Sequence, residues 1–126
     1  MKNILIIVCL CLSTGLFGQA EKEMIQAIQT ENWDSTLGLM PSRVDFCVND
    51  DQDFLKKAET VDSLKAMIAE HGVTSWAVVH KGQSKSGNSS YSILESTKAT
   101  KPLRILVFAE EDGGTSLVSE IRLETN

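Results

Sequence analysis

His80 and Tyr91 flank the loop within HKGQSKSGNSSYSI (residues 80–93), and a histidine beside a tyrosine can move a proton when both face one cavity. The loop between them offers other chemistry at first sight. Gly82 and Gly87 have the spacing of a phosphate-binding loop, but Asn88 stands where that loop needs its lysine. A strand pattern follows, whereas a phosphate cradle needs the start of a helix. A nucleophile elbow fails as well, because from Gly82 the pattern runs G-x-S-x-x-G, one residue too long. Asn88-Ser89-Ser90 matches the glycosylation triplet, a short pattern of low specificity. Glycine, serine and asparagine are turn formers, so the segment reads as a hairpin loop.

The remaining candidates are weaker. Asp50, Asp51 and Asp53 could bind calcium, but the sixth and twelfth positions counted from Asn49 hold Phe54 and Thr60. A calcium loop needs glycine and glutamate there, so the cluster reads as a solvated acidic turn. His71 and His80 lack a partner at ligand spacing, and no metal site is read. His71 instead complements the dipole at a helix C-terminus. No pattern for a cofactor is found, and no residue is assigned a catalytic role.

Residues 1–20 read as a cleaved signal peptide. Lys2 begins it, Ile4 to Leu12 form its apolar run, and Gly18 and Ala20 are the small residues before a cut after Ala20. The run is too short to span a membrane comfortably, so no membrane insertion is expected after cleavage. Val8 precedes Cys9 and Leu10 precedes Cys11, which excludes a lipid-anchor cysteine. The expected location is periplasmic or extracellular. The chain has 12 basic and 17 acidic residues, and removing Lys2 leaves 11 − 17 = −6. That balance excludes nucleic acid as a natural partner, since phosphate binding needs a basic face. Cys47 is the one cysteine left, and within VDFCV it reads as a buried apolar residue. Residues 21–126 are long enough for one domain with its own core.

The elements that position the candidates follow from periodicity. Met24, Ile25 and Ile28 give a helical stripe over Glu21 to Asn32, and Leu37 and Met40 a second short turn stopped by Pro41. RVDFCV alternates as a strand, and a helix from about Thr60 carries Val61, Leu64, Met67 and Ile68 up to Gly72. Four strands follow in TSWAVVHK, SYSILES, LRILVFAE and SLVSEIRLE, with turn-forming linkers that predict an antiparallel meander. The order ααβαββββ gives an α+β fold, with N-terminal helices packed on a curved antiparallel sheet.

HKG (residues 80–82), YSI (91–93), RILV (104–107) and EIRLE (120–124), set in that order of elements, resemble a family of small secreted bacterial proteins of unknown function. That family has the nuclear transport factor 2-like, or cystatin-like, cone fold. The resemblance implies no established activity, although enzymes of this fold, isomerases and dehydratases, place acid–base groups inside the cone.

Symmetric closure of the hairpin would set His80 opposite Tyr91, so that Trp76, Val78, His80, Tyr91 and Ile93 share the helix-facing side. Trp76, His80 and Tyr91 then form a candidate pocket for a small apolar ligand. Two readings share this geometry. One is a cavity enzyme of isomerase or dehydratase type, using His80 and Tyr91 for proton transfer. The other is a histidine hydrogen-bonded to a tyrosine with no substrate. The second is favoured, because no inward carboxylate completes a catalytic set. On the opposite side, Arg104, Leu106, Phe108, Val118 and Arg122 form an apolar patch rimmed by charge, a candidate interface. The sequence thus reads as an exported, non-catalytic binding domain of unknown ligand whose partner is a second copy or a cell-envelope protein.

Overall fold

A computed structural model describes residues 19–125. The expected signal peptide lies outside the described residues except for Gln19 and Ala20, which open the first helix, α1 (Gln19–Thr30). This helix buries Ala20, Met24, Ile25, Ala27 and Ile28 against strands β4, β5 and β6 described below. Glu21 shares the buried stripe, three and four positions before Met24 and Ile25.

A 3₁₀ helix (Trp33–Leu39) follows. With three residues per turn, Trp33, Thr36 and Leu39 eclipse one another. Thr36 is fully buried and donates to the Trp33 carbonyl at 2.6 Å, while Trp33 and Leu39 pack on the core. Leu37, expected inside on an α-helical spacing, is exposed for this reason.

The strands are β1 (Arg43–Val48), β2 (Asp51–Lys56), β3 (Ser75–Gln83), β4 (Ser89–Lys98), β5 (Leu103–Asp112) and β6 (Thr115–Thr125). Helix α2 (Lys57–His71) lies between β2 and β3. All six strands join one sheet in the order β2-β1-β6-β5-β4-β3, antiparallel throughout except for the β1–β6 pair. The expected acidic turn is thus mostly a strand. Asn49 takes a left-handed φ of 55° in a tight turn, and Asp51 to Lys56 pair back along β1. Period-two reasoning missed β2 because it is an edge strand, where Asp51 and Asp53 occupy helix-side positions that an interior strand would fill with apolar residues.

At the start of α2, Glu59 Oε1 accepts from the Lys56 N–H at 3.2 Å. Lysine carries no acceptor, so the reciprocal half of a capping box cannot form. The helix ends on Gly72 at φ 61°, with Gly72 N–H donating to Ala69 O at 3.1 Å and Val73 N–H to Ile68 O at 3.2 Å. A Cβ on Gly72 would also collide with the Thr100 side chain, so two constraints demand glycine there.

One apolar core lies between the helices and one face of the sheet. Val44, Leu94, Ile105, Val107, Ile121 and Leu123 line its sheet side, and Leu64 and Ile68 of α2 approach from the helix side. Of three insertions in the ladder, one (Thr97) lies near the end of β4 and the other two set the phase of that face. Val79 bulges out of β3 between the pairs Val78↔Leu94 and His80↔Ile93, and Ser119 bulges out of β6 between Ala109↔Val118 and Phe108↔Glu120. Beyond each bulge the alternation reverses.

Val118 is therefore a fully buried core residue, not part of the outer patch expected from its parity with Glu120 and Arg122. Val118→Lys is expected to cost ~3 kcal/mol or more, because it buries an unpaired ammonium. Leu106→Lys, on the outer face, is expected to stay within ~1 kcal/mol. Urea unfolding of both variants at low protein concentration checks the contrast.

Candidate functional site

The β3–β4 register corrects the geometry expected for the candidate pocket. His80 pairs with Ile93 and Gly82 with Tyr91, two positions away from symmetric closure. The Val79 bulge turns His80 outward, and Tyr91 and Ile93 face outward with it, while Ser90, Ser92 and Leu94 are buried on the helix side. Trp76 lies opposite Ser96 and packs against the core. The sheet thus separates Trp76 from His80 and Tyr91. No hydrogen bond links His80 to Tyr91 among the described residues; their rings lie 5.6 Å apart between centroids, tilted by 37°. The proton-transfer reading loses its cavity, because both of its groups stand on the solvent side.

The loop itself is the expected turn. Ser84 O accepts from the Gly87 N–H at 3.0 Å, and Gly87 has φ 75°, which favours glycine. Ser84 and Ser86 hydroxyls meet at 3.2 Å, and Ser84 Oγ accepts from the Ser89 N–H at 3.2 Å. The loop serines are engaged with one another and with the backbone.

Cross-strand register builds the outer face in rows. One row runs Gly82, Tyr91, Phe108, Glu120, Asp45, Phe54 across all six strands. The next runs His80, Ile93, Leu106, Arg122, Cys47, Gln52. A third carries Ala77, Glu95, Arg104 and Glu124. Arg104, Leu106, Phe108 and Arg122 thus stand on one face, as read from the sequence. Tyr91 packs on Phe108 at 5.7 Å between ring centroids, and its ring lies across Gly82, where a Cβ would overlap ring atoms. Glycine at position 82 is what lets the tyrosine lie down on the sheet. Phe54 is 61% exposed at the β2 end of the same row. Cys47 is buried as expected, its Sγ donating to Asn49 O at 3.1 Å.

Charge on this face is unevenly paired. Arg104 binds Glu95 at 2.6 Å and Arg122 binds Glu120 at 3.0 Å, both exposed pairs of small energetic worth. Glu120 nonetheless has its carboxyl pushed above the usual range. Partial burial is the main cause and repulsion from Asp45 the next; Arg122 opposes the rise and Glu110 adds to it. Asp45 is held by two contacts from Gln52 Nε2, at 2.8 and 2.9 Å. Among the described residues, no three His, Cys, Asp or Glu side chains converge as metal ligands.

A groove of about 330 Å³ opens beside this row at the hairpin end, lined by Tyr91, Phe108, Glu110, Glu120, Ser119 and hairpin residues. Smaller grooves lie around Arg104 and Glu124, and along α1 near Glu23 and Leu39; none of the three is lined by Trp76 or His80. Sequence reasoning placed Glu120 on the outer face with Arg122 but did not bring Glu110 and the Tyr91–Phe108 pair to it, because that convergence depends on the register of β4, β5 and β6. It also missed the burial of Glu21, which is 4% exposed and whose Oε2 has no partner among the described residues. The signal for Glu21 was its place on the Met24–Ile28 stripe.

A six-stranded sheet in this order, with helices on one face only and an apolar, charge-rimmed opposite face, defines a nuclear transport factor 2-like α+β domain. The chain belongs to the DUF4783 family, a domain of unknown function whose model matches residues 21–124. It is similar in structure to a DUF4783 protein from Bacteroides ovatus, with TM-score 0.70 and 17% identity over 81% of this chain and 91% of that one. A nuclear transport factor 2-like protein of unknown function from Cytophaga hutchinsonii matches with TM-score 0.60 and 11% identity, over 85% and 87% of the two chains. A Kribbella flavida protein, provisionally named a ketosteroid isomerase, matches with TM-score 0.64 and 15% identity, over 88% and 78%. At these identities the likenesses establish the fold alone. No curated protein matches the sequence.

Glu120 supplies a test of the face's electrostatics. A raised carboxyl pKa means that the native state holds the proton more tightly than the unfolded chain does. Ionised Glu120 therefore weakens the fold at neutral pH, and the penalty fades as pH falls through its raised pKa toward the ordinary value of 4.5. Glu120→Gln is expected to raise Tm at neutral pH and to lose that advantage near pH 4. Thermal melts across this range check it.

Proposed function

We propose that this protein is an exported, non-catalytic interaction domain that associates with a second copy of itself through the outer face of its sheet. Strand β4 carries the reading. A strand with one face on a core buries its apolar residues and exposes its polar ones. Here Ser90 and Ser92 are buried, Ser92 Oγ with no partner among the described residues, while Tyr91 and Ile93 stand outside beside Phe108 and Leu106. This inversion makes sense when the outer side is also covered.

Area and charge both favour a second copy as the cover. Six strands about 4.8 Å apart and three side-chain rows span roughly 30 by 20 Å, or about 600 Å². That is of the order of the ~800 Å² each partner contributes to a standard interface. The boundary between β5 and β6 is the middle of the strand order. A twofold axis along it would lay the aromatic half of one copy on the Glu120–Asp45–Phe54 half of the other. Arg104 would then face the other copy's Glu124, and the Tyr91 hydroxyl its Asp45. Such mutual complementarity is what an isologous dimer requires. Export rests on the pattern of residues 1–20, and a cell-envelope protein is the competing occupant of the face.

Sedimentation equilibrium is expected to show a concentration-dependent dimer. Phe108→Lys and Leu106→Lys are each expected to weaken it at least about tenfold, with far-UV circular dichroism unchanged. A monomer at all concentrations would overturn self-association and leave the envelope partner as the occupant.

A further inference from the structure

The groove at the hairpin end of the outer face has a chemistry of its own. Its walls include two adjacent aromatic rings, Tyr91 and Phe108, 5.7 Å apart between centroids. Glu110 and Glu120 line it as well, with Ser84, Ser89 and Ser119 among its other residues. We propose that this groove binds a small organic cation, an alkylammonium or guanidinium head group seated against the Tyr91 and Phe108 rings and neutralised by Glu120 and Glu110.

Four observations converge on that class of ligand. An aromatic face attracts a cation through its quadrupole, and a pair of rings beside each other offers a platform rather than a single contact. Tyr91 is held in this pose by Gly82, so the platform is preorganised by the backbone. Glu120 faces Asp45 on one side and Glu110 on another, and its cation Arg122 lies along its own strand in the neighbouring row. Among the described residues, no ion pair engages Glu110. A site with repelling carboxylates and one lateral arginine gains most from a ligand that brings positive charge. Finally, about 330 Å³ is at the small end of ligand-pocket sizes, which suits a single amine or guanidine rather than a large metabolite.

An anion is disfavoured by the two carboxylates, and a neutral apolar ligand would leave them desolvated without compensation. A divalent metal is disfavoured by geometry, since among the described residues no three ligating side chains converge. The groove's walls come from one copy, so the site exists in the monomer; the dimer proposed above would lay the other copy over Tyr91 and Phe108, and a bound cation competes with self-association.

The test is an NMR titration of the protein purified after expression of the full chain, in low-salt buffer. Agmatine, tetramethylammonium and a Gly-Arg-Gly amide peptide serve as probes, and sedimentation is run on the same samples. Saturable shifts are expected at the Tyr91, Phe108 and Ser119 amides. Glu120→Gln is expected to weaken binding about three- to tenfold, the range of a charge-assisted contact at a half-exposed site. Tyr91→Leu is expected to weaken it about two- to fivefold. Glu95→Gln, a carboxylate in another row, is expected to leave it unchanged. Binding of agmatine above the peptide assigns the head group to a free small molecule; the reverse assigns it to a protein side chain. The absence of saturable shifts with all three probes, or shifts that persist undiminished in Glu120→Gln, would overturn the site. Sedimentation separates the two proposals: a protein that is monomeric before any probe is added and binds agmatine retains the cation site and loses the dimer, and a dimer that ignores all probes does the reverse.

Discussion

The helices can cover only one side of the sheet, so everything else follows from which side chains are turned toward them. A strand alternates its side chains with period two, and one inserted residue reverses every side chain beyond it. Val79 and Ser119 are such residues. The Ser119 bulge sends Val118 inward to join Ile121 and Leu123 beneath α1 and leaves Glu120 and Arg122 outside. The Val79 bulge keeps Trp76 and Val78 in phase with the helix side at one end of β3 and turns His80 outward at the other. Without these insertions the core of β6 would be interrupted and the outer row of Ile93 and Leu106 would lose its histidine end.

The outer face is consequently neither a core nor an ordinary wet surface. Its middle is apolar through Tyr91, Phe108, Ile93 and Leu106, and its flanks carry both signs of charge. Glu120 shows the tension most clearly. It pairs with Arg122, yet partial burial and its acidic neighbours still hold its carboxyl above the ordinary range. A face of this composition is suited to contact with another molecule, by the aromatic rows in its centre and by the carboxylates near the hairpin.

The two sheet edges are handled differently. Strand β2 places Asp51 and Asp53 on the helix side and ends in Lys56, which discourages pairing with another chain through inward-pointing charge. Strand β3 makes little contact with the helices and is interrupted by the Val79 bulge, which breaks the flat edge that an incoming strand would need. Helix α2 connects these two edges, and Gly72 ends it sharply enough for the chain to enter β3 within three residues.

The amino-acid sequence alone determined the α+β class, both helices, β1 and the four-strand meander, because each of these rests on a local period or a local breaker. The Met24–Ile28 stripe, Gly72 and the turn residues of the β3–β4 loop are signals readable within a few positions. It also determined that Arg104, Leu106, Phe108 and Arg122 share a face, since no insertion lies between the members on either strand. Strand β2 escaped notice because an edge strand lacks the buried alternation that marks an interior one. Only the tertiary structure decided that His80 and Tyr91 face away from Trp76, that Val118 is core, and that Glu110 and Glu120 meet an aromatic pair. Those outcomes depend on pairing register and on two bulges. A one-residue insertion costs little locally, leaves the composition of a strand unchanged, and becomes visible only against the strand beside it.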